Sequence, residues 1–151
     1  RSGGDAAMTA ALLAALLATG AAATEDVQGW SSFRGPGGRG YALHANPPLA
    51  WNVKDGTHIL WKTAVPTHGM SSPVVWGKRL FLTGADPGGR RLYCYDTDTG
   101  KLVWEVKLPA GGQATPMTYV IGGRQYIVIA AGGYKEDSTR GDFLVAYALP
   151  R

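Results

Sequence analysis

Cys94-Tyr95-Asp96-Thr97-Asp98-Thr99-Gly100-Lys101-Leu102-Val103-Trp104 is the stretch whose reading decides the fold. Leading into it, Tyr93 and Tyr95 alternate with Leu92 and Cys94, the period of a pleated strand. Asp96 to Gly100 breaks the pattern. Asp and Thr side chains bond their local backbone, and glycine takes a positive φ at little steric cost. From Lys101 to Lys107 the alternation resumes with Trp104 on one face. The stretch therefore reads as strand, tight turn, strand.

Working outward, the same pattern recurs. Ile59-Leu60-Trp61-Lys62-Thr63-Ala64-Val65-Pro66 matches Leu102-Val103-Trp104-Glu105-Val106-Lys107-Leu108-Pro109 at an offset of 43. At that offset Gly69 also meets Gly112, Ser72 meets Thr115 and Pro73 meets Pro116. One constant spacing through Trp, Gly and Ser/Thr-Pro marks an internal repeat. A period in the low forties filled with short strands is that of a β-propeller blade.

Strands are expected near 59–65, 72–76, 78–83, 91–96, 102–107, 114–120, 125–131 and 143–148, two blades' worth at four strands each. The expected fold is thus all-β, a partial β-propeller. Residues 72–107 make one complete blade, 114–148 supply three strands of a second, and 59–65 is a fourth-type strand without a blade of its own. A closed propeller takes about four to eight blades, and a terminal repeat stays exposed unless it is capped. One buried Trp covers roughly 200 Å², on the order of 5 kcal/mol at about 25 cal/mol per Å². That is comparable to the whole stability of a small domain. Either copies self-associate, or further blades are missing from a shortened product.

The run Cys94-Tyr95-Asp96 … Thr99-Gly100-Lys101 … Trp104 resembles the tryptophan-docking motif of quinoprotein (pyrroloquinoline-quinone, PQQ) propellers, with Cys94 where that family usually has Ala. Trp30 to Gly40 followed by Ser71 to Leu82 is similar to the start of PQQ-binding-like repeat proteins. Leu108 to Tyr119 through Asp142 to Pro150 resembles the closing segment of membrane-linked PQQ glucose dehydrogenases. The resemblance implies structural roles for Trp61, Asp96, Gly100 and Trp104. It implies PQQ with calcium in a funnel near the propeller axis, faced by the loops 67–71 and 110–115. His68, Gln113 and Thr115 are the polar candidates there; alternatively these loops turn tightly, and Ser72 or Thr115 bonds nearby backbone. Neither the family's catalytic carboxylate nor its calcium ligands map onto a position of this chain. The functional expectation is a non-catalytic binding or scaffold segment. The alternative is a remnant or subunit of a PQQ-dependent alcohol or sugar dehydrogenase.

The flanks read differently. Ala6 to Ala18 is nearly all Ala and Leu, and Ala21-Ala22-Ala23 offers a small-residue cleavage site, so residues 1–23 are expected to be a signal peptide. The expected location is periplasmic or secreted, with membrane contact only through that segment if it stays uncleaved. Residues 24–58 form a Gly/Pro-rich lead-in, pinned to the blades by Trp30, Phe33, Tyr41 and Trp51. Residues 59–151 hold the repeats. The chain has 22 glycines and 9 prolines interleaved with aromatic and β-branched runs, which favours a turn-rich β protein over a helical or disordered one. Its net charge of +4 is scattered, against the clustered basic stripe that nucleic acid requires. Cys94 is the only cysteine, excluding an intrachain disulfide, and His44, His58 and His68 show no metal-ligand spacing.

Overall fold

The alternating runs become seven strands in the computed structural model, which describes residues 29–42, 45–69, 71–87, 89–133 and 141–150. The strands are β1 (Val74–Trp76), β2 (Arg79–Asp86), β3 (Gly89–Asp96), β4 (Leu102–Lys107), β5 (Met117–Ile121), β6 (Arg124–Ala131) and β7 (Phe143–Ala148). The first four form one sheet in the order β1-β2-β3-β4, and the last three another in the order β5-β6-β7. All neighbours are antiparallel, as tight turns between consecutive strands dictate. One complete four-stranded blade and one of three strands are what the sequence predicted. The helical content described is a single 3-10 turn, Pro36–Gly38.

The sheets stack face to face, as successive propeller blades do. Val74, Phe81, Leu92 and Cys94 from the first sheet, Leu108 from the link, and Ile127 and Ile129 from the second form one core, none more than 2% exposed. Trp104, Val106, Val145 and Tyr147 pack around it, and the Phe81 and Trp104 rings lie 6.1 Å apart at 45°. Polar groups stitch the rim of this seam. The Ser72 amide donates to Thr115 Oγ1 at 3.3 Å, joining the two positions that the repeat spacing pairs. The buried Thr83 hydroxyl donates to the Gly112 carbonyl. A strap crosses both innermost strands: Trp30 O accepts from Val75 N at 2.8 Å, and Ser31 O from Thr118 N at 2.9 Å.

Two expectations are corrected. Residues 59–65 are not a strand. Both neighbours needed for a ladder are lacking, because β4 already closes the outer edge of the first sheet. The segment instead lies against that sheet, with the Trp61 indole N–H donating to the Thr97 carbonyl at 2.7 Å. Of the four lead-in aromatics, only Trp30 is held down, its carbonyl bonded to Val75. Phe33, Tyr41 and Trp51 are 56–66% exposed, so these three rings do not pin the lead-in to the blades. Residues 1–23 lie outside the described residues.

Gly100 is where the turn depends on having no side chain. Its φ is +67°, and a Cβ there would meet the Trp61 ring at 2.6 Å. Gly100→Ala is therefore expected to cost about 2 kcal/mol, from left-handed backbone strain and the displaced indole. In a Trp61→Ala background the same change should cost clearly less, because the collision has gone. Urea titration of the four proteins measures the coupling.

Candidate functional site

The loops leading into β1 and β5 converge at one end of the seam. His68 is fixed by its backbone: its carbonyl accepts from Ala85 N at 2.6 Å. This close approach requires Gly84, where a Cβ would stand 2.2 Å from Thr67 Oγ1. On the facing loop, Gly112 is held by Thr83, which leaves the neighbouring Gln113 side chain exposed. Together His68, Thr83, Gly84, Ala85, Gly112 and Gln113 line a cleft of about 130 Å³. The structure thus brings His68 and Gln113 to one cleft. Thr115 is not among the lining residues; its hydroxyl is used by the Ser72 amide.

The cleft offers an imidazole, an amide, the Thr83 hydroxyl and backbone groups, and among the described residues no carboxylate or cationic side chain lines it. Among the described residues no three His, Cys, Asp or Glu side chains converge to hold a metal. PQQ is a tricarboxylated ortho-quinone, so it calls for cationic partners and a chamber in the usual ligand range of about 300–1,000 Å³. These residues do not fit that group by themselves.

A second cleft, about 370 Å³, lies on the opposite face of the first sheet between Pro66, Thr67, Asp86, Arg91, Tyr93 and Glu105. Arg91 Nη1 donates to Glu105 Oε1 at 2.9 Å, and the Thr67 and Tyr93 hydroxyls are 2.9 Å apart. Sequence reasoning missed it, although strand alternation already places Arg91 and Tyr93 on one face. Beside it the Tyr95 hydroxyl is buried without a partner among the described residues. Burial, with Tyr93 and Glu105 nearby, raises its pKa.

The quoted turn is bound from within. Asp96 Oδ1 accepts from the Asp98 and Thr99 amides and from the Thr99 hydroxyl at 2.9–3.1 Å. The Thr99 hydroxyl chiefly, with the backbone amides and Arg79, holds the Asp96 carboxyl below its usual value. Arg79 Nη1 reaches Asp96 Oδ2 at 3.1 Å, and Lys78 reaches Asp98 at 2.7 Å. The Lys78–Asp98 pair is solvent-facing and contributes little, whereas Arg79–Asp96 is half-buried. Asp96 is therefore a turn organiser, and Trp104 a component of the seam.

A family model described as the β-propeller domain of PQQ glucose/ethanol/alcohol dehydrogenases matches residues 24–127. Over 90 residues the chain is 60% identical to quinoprotein glucose dehydrogenase A of Acinetobacter calcoaceticus, covering 59% of this chain and 11% of that protein. Over 75 residues it is 55% identical to the quinoprotein glucose dehydrogenase of Escherichia coli (strain K12), covering 49% and 9%. Over 107 residues it is 43% identical to the glycerol dehydrogenase large subunit of Gluconobacter thailandicus, covering 70% and 14%. The matched part is thus a small fraction of each relative.

Burial pushes the Cys94 thiol up to about 11 from 9.0. The folded state therefore holds this proton more tightly than the unfolded chain. The stability this confers is complete below about pH 9 and is lost as pH rises towards 11. The urea midpoint should fall over that window, and less so in Cys94→Ala. At pH 8 a thiol reagent should label Cys94 only after unfolding.

Proposed function

The chain belongs to the PQQ β-propeller family of glucose, ethanol and alcohol dehydrogenases, and from that membership we propose that its residues serve as blade scaffold. In this reading they shape one sector of a ligand-facing funnel and do not carry the redox step. The observation that carries the proposal is the contrast between seam and cleft. The seam is packed and stitched at the repeat spacing, whereas among the described residues the polar side chains of the cleft at its end are His68, Gln113 and Thr83. Proton abstraction from an alcohol needs a base within hydrogen-bond reach, and among the described residues no carboxylate lines that cleft.

A second reading is favoured by the 60% identity to a quinoprotein glucose dehydrogenase. There the chain is part of a PQQ-dependent enzyme oxidising a sugar or another alcohol, and blades beyond these supply the base, the calcium ligands and most of the quinone chamber. His68 and Gln113 would then contact the bound group from their loops. We also place the protein outside the cytoplasm, in the periplasm or secreted; the Ala/Leu run of residues 6–18, read as an export signal, supports this.

Adding PQQ and calcium to the purified chain, removing free quinone and following dye reduction with glucose tests the scaffold reading. It predicts no retained quinone absorbance and no glucose-dependent reduction. Stoichiometric quinone on this chain alone, or turnover by it, overturns that reading.

A further inference from the structure

Thr83, on β2, is 1% exposed and touches both loops that frame the cleft. Its hydroxyl donates to the Gly112 carbonyl of the second loop. Its backbone holds the first loop: Thr83 N donates to Ser71 Oγ at 2.9 Å, and Ser71 Oγ donates to Thr83 O at 3.3 Å. Both approaches need glycine. A Cβ at Gly69 would stand 2.7 Å from Thr83 O, and one at Gly112 would stand 2.6 Å from Leu108 Cδ1 and 3.6 Å from Thr83 Cγ2.

Each loop is also bridged to its own sheet, through carbonyls that share the 43-residue offset. His68 O accepts from Ala85 N at 2.6 Å, and Gly111 O accepts from Gly133 N at 2.9 Å. Two hydrogen bonds then cross between the repeats: Ser72 to Thr115, which is half-buried, and Thr83 to Gly112, which is buried and forms part of the cleft wall. A hydroxyl is not needed at position 83 to fill space, since valine has nearly the same shape and carries no polar group to desolvate. What the hydroxyl does is satisfy the Gly112 carbonyl. That carbonyl shares a rigid peptide plane with the Gln113 amide, so fixing it fixes where Gln113 leaves the backbone.

We propose that Thr83 is a positioning residue for this cleft, setting the separation of His68 and Gln113 by tethering the loop of each. Its hydroxyl governs the Gln113 loop, and its peptide groups, through Ser71, govern the His68 loop. The cleft is therefore a preformed gauge with a fixed distance between imidazole and amide. That it faces a ligand rests on the funnel role proposed above. The tethering itself is read on the ligand-free chain, so loop positioning and quinone retention fail separately.

The test is native-state hydrogen exchange, with side-chain NMR signals, on the full 151-residue chain and three variants. The reporters are the Gly133 amide for the Gln113 loop and the Ala85 amide for the His68 loop. In Thr83→Val the Gly133 amide is expected to exchange about tenfold faster, the scale of one lost buried hydrogen bond. The Gln113 side-chain signal moves with it, while Ala85 keeps its rate. Thr83→Ser keeps the hydroxyl and is expected to restore both the Gly133 rate and the Gln113 signal. Ser71→Ala does the reverse, speeding Ala85 and leaving Gly133 unchanged. An unchanged Gly133 rate in Thr83→Val, a failure of Thr83→Ser to restore it, or equal acceleration of both reporters in every variant overturns the proposal. Should Thr83→Val fail to fold, Ser71→Ala still decides: an Ala85 amide at its wild-type rate there overturns it.

Discussion

A meander sheet built from near-continuous apolar runs has to lay both of its faces on something, and in this chain that requirement governs the rest. Leu92, Tyr93, Cys94 and Tyr95 are consecutive and all buried. Alternation sends Leu92 and Cys94 one way and Tyr93 and Tyr95 the other, so β3 is central in depth as well as in sheet order. The second sheet covers one side with Ile127 and Ile129. The other is covered by a lone segment rather than a sheet, through Trp61 on the turn and Thr67 on the Tyr93 hydroxyl. That difference explains why a polar cleft, and a Tyr95 hydroxyl without a partner among the described residues, occur on the thinner side.

The polar groups follow from the same packing. Where two sheets meet, backbone groups at the rim lose water and need protein partners. Ser72, Thr83 and Thr115 supply hydrogen bonds at the seam. The family match over residues 24–127 says which kind of propeller these blades belong to.

Much of this was legible beforehand. Period-two alternation around Asp96–Gly100 and the 43-residue repeat located the sheets and their division into four and three strands. What failed was any inference requiring knowledge of a partner. Ile59 to Val65 has a strand's sequence, yet a strand exists only with a neighbour to bond, and the first sheet offers none. Trp51 and Phe33 have the composition of anchors without a surface to anchor on. At the site, the family resemblance pointed to the loops of His68 and Gln113, and the structure brings both side chains to one cleft. The cleft between Arg91, Tyr93 and Glu105 went unseen because it depends on where residues 66–67 lie, which no local pattern encodes.

The central claim is that the two sheets share one apolar seam and open together. Residue-resolved hydrogen exchange measures this directly. The account predicts that the slowest amides of β3, around Leu92 and Cys94, and those of β6, around Ile127 and Ile129, exchange with one common opening free energy and respond alike to denaturant. If β6 exchanges as fast as the loops while β3 stays protected, the sheets are not one packed unit and the account is wrong.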